Sequence, residues 1–254
     1  METLFIGKNS LFLHEVESTN TYAMNLLRDV NPIEGTIVYT DNQTHGKGQR
    51  GALWTSKIGQ NMTVSVILKP QFLSLDKTFY LSKISALAVY DVLTDILANS
   101  QYDIKIKWPN DILVNQRKIA GILIENNFTT HSIQYSVIGV GLNVNQVEFG
   151  DFERTAISLK LLASKDVDRK MILELFCQKL EKWYLKLKEQ KFDLIDETYL
   201  NNLYGINEIL AFESLDKTAF QGKMLGVSKM GKLVVELPNL ERKEFDIKEV
   251  KFLI

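Results

Sequence analysis

IKIKWPNDILVNQRKIAGILIE, residues 104–125, reads as β-structure folded back on itself. Ile104–Lys107 and Ile112–Val114 are short strands around Trp108-Pro109-Asn110, and the polar Asn115-Gln116-Arg117 supplies a hairpin turn into Ile119–Glu125. Such a fold brings Lys107, Asp111 and Lys118 to strand ends along one edge. Two lysines there can neutralise phosphate oxygens, and an aspartate can hold a divalent cation. Lys118 borders an apolar strand, so its ammonium is expected to face a partly dry pocket where charge acts more strongly. An isolated lysine is ordinarily a solvated surface charge; a glycine-rich loop upstream weighs against that reading here. Trp108 and Trp54 read as core aromatics.

Outward from this stretch, short β-rich runs alternate with amphipathic helices. Ser18 or Thr19 caps a helix over Tyr22–Arg28 with Tyr22, Leu26 and Leu27 on one face. Thr36–Thr40 and Met62–Leu68 are strands, the second ended by Pro70, and Phe79–Leu97 has helical spacing. Ser136–Val144 (SVIGVGLNV) is a strand with Gly139 and Gly141 inside it. Glycine weakens a strand, so two of them point to close approach by a ligand or another backbone. Asp168–Gln190 is a long amphipathic helix capped by Asp166 or Asp168. After Tyr204 the pattern changes to Glu208–Phe212, Ala219–Val227 and Lys232–Leu237, short strands separated by turns at Asp216-Lys217 and Met230-Gly231. The expected organisation is α+β: a domain over 1–205 with a mixed sheet backed by helices, then a small β-barrel module over 206–254.

Composition narrows the function classes. The chain has 254 residues, 45% of them hydrophobic, and a formal net charge of −1. That balance argues against a bulk electrostatic grip on nucleic acid or an acidic membrane. One cysteine, Cys177, excludes an intrachain disulfide framework and reads as a buried small hydrophobe. The three histidines (His14, His45, His131) lack metal-ligand spacing. Nothing approaches eighteen consecutive apolar residues, and the start lacks a basic, apolar and small-residue leader, so the expected address is the cytoplasm.

Gly46-Lys47-Gly48-Gln49-Arg50-Gly51 fits G-x-G-x-x-G and follows a strand. A dinucleotide fold needs a helix to begin inside that motif, so that its amides meet the pyrophosphate. Here the chain runs on as ALWTSKIGQNMTVSVIL, with Gly59 interrupting it before the next strand, so the NAD reading is set aside. The glycines still free the backbone to curl around a ligand with its N–H groups exposed, and Lys47 and Arg50 supply cations for carboxylate or phosphate. A solvated surface turn fits the segment alone equally well.

Taken in order, Glu15–Asn20, Asp41–Gln43 leading into GKGQRGALW, KWPNDILV, RKIAGILIE and GVGLNVN resemble the biotin–protein ligases. The matches run from residue 15 to about residue 145, and the β-rich tail is similar to that family's small SH3-like module. The resemblance implies a class II synthetase-like catalytic fold and two half-reactions at one site. Biotin and Mg·ATP give biotinyl-AMP, and the biotinyl group then passes to a lysine of a biotin carboxyl carrier domain. Residue by residue it puts Ser18, Thr19, Asn20 and Gln43 at the biotin head group, with Gly46, Lys47, Gly48 and Gln49 closing over the ligand. It makes Lys118, Lys107, Asp111 and Arg50 catalytic, with Asp111 toward magnesium. Lys47, Arg50, Lys107, Asn110, Asp111, Lys118 and Asn143 serve ATP and the adenylate, while Gly121, Leu123, Gly139, Val140 and Gly141 wall the biotin pocket. Phe149 and Phe152 are candidates to stack on adenine.

Two departures matter. The family loop is often GRGRRGR, whereas here it reads GKGQRGA, with two cations where four are common. The family's ligase–repressors carry a helix-turn-helix domain ahead of the STN segment, which here starts at residue 18, so DNA binding is not expected. The rival readings are a lipoate–protein ligase and a protein that binds biotinyl-adenylate without transferring it. Oligomeric state is open: an edge strand could serve for homodimer pairing or for carrier docking.

Overall fold

The computed structural model describes residues 2–97, 102–150, 156–247 and 249–253, apart from the Arg50 side chain. In chain order the first 205 residues form β1 (Ser10–Val16), α1 (Thr19–Asp29), β2 (Ile37–Gln43), β3 (Met62–Leu68), α2 (Phe79–Ile96), β4 (Ile104–Lys107), β5 (Asp111–Val114), β6 (Arg117–Phe128), β7 (Ile133–Leu142), α3 (Leu159–Ala163), α4 (Arg169–Lys188) and α5 (Phe192–Asn201). The sheet order is β1-β2-β3-β7-β6-β5-β4. Only β1 and β2 run parallel, because α1 carries the chain back between them; every other neighbouring pair of this sheet is antiparallel. Asn115 and Gln116, at φ 49° and 63°, form the two-residue turn between β5 and β6, and left-handed residues at both positions match the strands' twist.

The sheet's two faces are covered differently. Met62, Val64, Val66 and Leu68 of β3 and Ile138, Val140 and Leu142 of β7 belong to the main core, which α2 and α4 cover. On the other face α1 packs, setting Ala23 and Leu27 against Val38, Ile67 and Val137. The Ser18 side chain caps α1 by accepting from the Thr21 amide, so Thr19 is already helical. Its buried stripe therefore starts polar, with Thr19 and Asn20, and ends apolar, with Ala23 and Leu27. The polar end is where the site lies.

A second sheet follows: β8 (Ile209–Ser214), β9 (Ala219–Val227), β10 (Leu233–Glu236), β11 (Arg242–Phe245) and β12 (Val250–Phe252), antiparallel in the order β11-β10-β9-β8-β12. Phe212 stands at its centre, 5.4 Å from Phe220 and 5.2 Å from Phe252 between ring centroids. It docks on the β4 side of the first sheet. Tyr204 N–H donates to Ile106 O at 2.8 Å, and buried Trp108 donates through Nε1 to Gly231 O at 2.9 Å. Gly231, at φ 85° in the β9–β10 turn, lies so close under Phe79 that a β-carbon there would overlap the ring. No helix among the described residues is long and apolar enough to cross a membrane.

Glu181 of α4, 6% exposed, holds the N-terminal segment by accepting from the amides of Leu4, Phe5 and Ile6 at 2.6, 2.8 and 2.9 Å. Glu181→Ala strands three donors, and the urea midpoint should report a loss of about 3 kcal/mol; Glu181→Gln, which keeps one acceptor oxygen, should lose less. Cys177 is fully buried, and burial first, then the charges of Glu181 and Glu174, pushes its thiol up to about 12. Iodoacetamide at pH 8 should leave the folded chain unlabelled and add one group after urea unfolding; rapid labelling of the folded chain would contradict this packing.

Candidate active site

The period-two alternation of strands turns two cross-strand rows toward the α1 face. One runs Val38–Ser65–Gly139–Leu123, the next Thr40–Thr63–Gly141–Gly121–Asp111–Lys107. Where a half-buried sheet would ordinarily carry side chains, the middle of both rows is glycine. A β-carbon on Gly139 would overlap the Asn20 carboxamide, and one on Gly141 would overlap the Trp54 indole. The close approach expected at these glycines is real, and the neighbours that make it are two side chains of this chain. Trp54 itself corrects the expectation of a core role: it is only half-buried, lines the cavity, and its Nε1–H has no acceptor among the described residues. Trp108 is 1% exposed and is core, as expected.

At the head of the floor sits a polar slot. Gln43 Oε1 accepts from the Thr19 amide at 2.9 Å, which leaves its Nε2 beside Gly46. Asn20 Nδ2 donates to Leu123 O at 3.2 Å and to Glu125 Oε2 at 2.8 Å. Ser65, fully buried, lies 2.8 Å from the Thr19 hydroxyl and 2.6 Å from Asn20 Oδ1.

The far end is cationic. A register shift between Ile112 and Leu113 leaves an extra residue on β6, so Lys118 pairs with Leu113. In a regular strand Lys118 and Gly121, three apart, would point to opposite faces; the bulge turns Lys118 onto the face of Asp111. The two form an ion pair at 2.7 Å, with Lys118 Nζ 5.7 Å from the Trp54 ring centre. Lys107 Nζ stands 5.2 Å over the ring of Phe252, which arrives from the second sheet. Asn110 is fixed by donating through Nδ2 to Ile122 O at 2.8 Å.

The glycine loop is a tight hairpin. Gly48 N–H donates to Ala52 O, Ala52 N–H to Gln49 O and Trp54 N–H to Gly46 O, so these amides are spent inside the loop and offer no anion cradle. Gln49–Gly51 makes one 3-10 turn and no α-helix follows, in keeping with setting the dinucleotide reading aside.

Two connected cavities result. One of about 370 Å3 is lined by Ser18, Thr19, Asn20, Gln43, Lys47, Gly48, Gln49, Trp54, Thr63, Lys107, Asn110, Asp111, Lys118, Gly121, Leu123, Gly139, Val140 and Gly141, with Val250–Phe252 at one side. The other, about 870 Å3, shares Trp54, Lys107, Asp111, Lys118 and Phe252 as a common wall and adds Asn143, Phe149 and Ala156. Of the residues singled out in the sequence, Gly46 supports the loop from behind, where a β-carbon would overlap Trp54 O, and Asn143 faces only the larger chamber, its Nδ2 donating to Ile157 O at 3.0 Å. The Arg50 side chain and Phe152 lie outside the described residues. Among the described residues Lys47, Lys107, Lys118 and Lys251 line the chambers against one carboxylate, Asp111, which suits an anionic ligand. The sequence reading missed Thr63, Ser65, Glu125 and β12. Thr63 and Ser65 left a signal, as the two polar residues spaced by two in MTVSVIL; β12 left none.

The chain matches the family model described as "Biotin/lipoate A/B protein ligase family" over residues 12–143. It is 33% identical over 239 residues to the bifunctional ligase/repressor BirA of Bacillus subtilis, covering 93% of this chain and 72% of that one. It is 29% identical over 231 residues to the biotin–[acetyl-CoA-carboxylase] ligase of Paracoccus denitrificans, covering 89% and 93%. Among solved structures, the biotin protein ligase of Aquifex aeolicus in complex with biotin and ATP superposes with a TM-score of 0.79 at 27% identity, over 96% of this chain and 98% of that one. The matched segment takes in α1, the glycine loop and every strand that floors the cavity, and the chain belongs to the biotin/lipoate A/B protein ligase family.

Proposed function

We propose that this chain is an ATP-dependent biotin–protein ligase that makes biotinyl-AMP and transfers the biotinyl group to a lysine of a biotin carboxyl carrier domain, working in the cytoplasm. The observation that carries this reading is the glycine floor, which runs from a slot of paired donors and acceptors to a Lys118–Asp111 pair at the wall between two chambers. A bicyclic ureide with an acidic tail suits the first chamber, with its polar slot at one end and its lysines at the other, and the second, at about 870 Å3, has room for a nucleotide.

In the first half-reaction a biotin carboxylate oxygen attacks the α-phosphorus of ATP. The bond from that phosphorus to the bridging oxygen breaks, and pyrophosphate leaves with the electron pair. Two anions must meet, so cations at the junction lower the barrier. Lys118 serves the carboxylate and then the phosphoryl oxygens, while Lys107 and Arg50 serve the phosphates. Lys47 and Gln49 cover the ligand, and Asn110 and Asn143 border the nucleotide. Magnesium supplied with ATP adds charge neutralisation when bound. Asp111, the carboxylate beside Lys118 at the junction, is the residue that would hold such an ion, which would supply charge neutralisation at the phosphates. Phe149 is the proposed adenine-stacking ring. In the second half-reaction the acceptor amine attacks the acyl carbon, the C–O bond to AMP breaks, and the amine gives up a proton. Exclusion of water by Trp54 and the loop protects the mixed anhydride meanwhile. The catalytic domain spans 1–205 and the SH3-like domain 206–254, with β12 of the latter returning to line the site.

Lipoate is the nearer rival within the family. Its dithiolane ring offers no N–H and no carbonyl, so Gln43 Nε2 and the spare lone pair of the Thr19 hydroxyl would find no partner on the ligand, a mismatch that discriminates strongly in a buried slot.

With Mg·ATP and a purified carrier domain, labelled biotin should be transferred by the wild type and about 100-fold more slowly by Lys118→Ala, the usual scale for losing one transition-state cation or donor. Wild-type chain that binds biotin and transfers none would support the adenylate-binding alternative. The GKGQRGA loop should also release biotinyl-adenylate faster than an arginine-rich relative does; equal or slower release would refute that reading of the loop.

A further inference from the structure

β3 and β7 are neighbours, and their ladder ends at the pair Met62–Leu142. Beyond that pair the chain leaves the sheet twice at the same end, backward from β3 toward Trp54 and the glycine loop, and forward from β7 toward Phe149. One backbone bond and then side-chain amides continue the pairing. Asn145 N–H donates to Gln60 O at 2.8 Å, and Val144 N–H donates to Asn61 Oδ1 at 3.0 Å. Gln146, 5% exposed, is the outermost tie. Its Oε1 accepts from the Lys57 amide at 3.0 Å and from Asn61 Nδ2 at 2.6 Å, and its Nε2 donates to Glu148 O at 2.8 Å. A backbone N–H only donates and a carbonyl only accepts, so this carboxamide is oriented at both ends. The Lys57 and Glu148 side chains add an ion pair across the same gap, but both are exposed and such pairs contribute little. The buried amide is the joint.

That joint connects the borders of the two chambers. Three residues before Lys57 stands Trp54, which lines both of them, with Leu53 and Thr55 beside it on the larger. Three residues after Gln146 stands Phe149, which lines the larger chamber. A ligand in the smaller chamber bears on Trp54, and a nucleotide in the larger bears on the Trp54 and Phe149 borders together. We propose that Gln146 is a positioning residue that couples the two substrates: by tying the Trp54 segment to the Phe149 segment, it makes biotin and ATP each tighten the binding of the other. Gln146 lines neither chamber, so it acts through the backbone it holds. The coupling is reciprocal, as linkage between two binding sites requires.

This inference rests on the proposed biotin and ATP chemistry, and its test separates the two. Biotinol, with an alcohol in place of the carboxylate, cannot form the acyl adenylate and carries no charge to repel ATP, so its equilibrium binding reads the coupling without chemistry. Its affinity is measured with and without Mg·ATP for wild type, Gln146→Asn, Gln146→Met and Gln146→Glu, with thermal melting alongside. On the wild type Mg·ATP should tighten biotinol about 5-fold or more, the lower end of ordinary coupling between sites. Gln146→Asn is one methylene short of the Lys57 and Asn61 donors, and Gln146→Met has a similar shape and no strong acceptor. Each should cut the factor to under about twofold, while biotinol affinity without ATP stays within about twofold of wild type. Gln146→Glu keeps an accepting oxygen and should recover most of the coupling. A lower melting temperature with the coupling intact would make Gln146 a structural residue only and overturn the assignment, as would a wild type whose biotinol affinity ignores ATP. Should the Met variant fail to fold, the Asn variant carries the same comparison. Wild-type chain that binds neither biotin nor biotinol would overturn the biotin reading itself, and this inference with it.

Discussion

The absence of β-carbons at Gly139 and Gly141 is the constraint on which the site depends. Elsewhere on this face, ordinary aliphatic side chains at Val38, Ile67 and Val137 meet α1 and close a small core. One row further the sheet carries hydrogen atoms instead, and the first turn of α1 and the indole of Trp54 come down almost onto the backbone. Everything polar in the slot follows from that descent. Asn20 reaches Leu123 O and Glu125 only because nothing stands on Gly139, and Ser65 reaches Thr19 only because the helix has been lowered. The strand gives up packing to make the space, and the main core on the opposite face, under α2 and α4, is what holds it flat.

A local irregularity sets the other end of the site. The bulge opposite Ile112 and Leu113 rotates Lys118 onto the site face, where Asp111 waits at the end of the neighbouring strand. The second sheet reinforces this corner twice, through the Trp108–Gly231 hydrogen bond in the middle of KWPND and through Phe252 beneath Lys107. The corner that carries Lys107 is therefore built by both halves of the chain, which ties its placement to the docking of the C-terminal strands.

Legibility in the sequence tracked locality. Met62–Leu68 and Ile104–Lys107 fall where alternation and apolar runs put them, and the Asn115-Gln116 turn and the cap at the start of α1 were readable from a few neighbouring residues. The STN segment, the glycine loop and the RK-x-AGIL run converge on one cavity, as their order along the chain suggested. What stayed hidden depends on distant partners. Trp54 read as core because a tryptophan is ordinarily well buried; its place over glycine needs Gly141, 87 positions away. The Gly48 amide, one of those that looked open to an anion, is taken up by Ala52 O across the same hairpin. β1, α5 and β12 carry weak local patterns and owe their form to packing, and β12 in particular is placed by Ser214, Glu213 and Phe212.

The most direct test is biotin-dependent ATP–pyrophosphate exchange, comparing wild type with Gly139→Val. Wild type should exchange only when biotin is present. A valine at 139 collides with Asn20 and should abolish biotin-dependent exchange, by a factor of about 100 or more, while the sheet itself stays folded by circular dichroism. Exchange within twofold of wild type in a folded Gly139→Val chain would contradict the claim that the glycine floor is what admits biotin to the site.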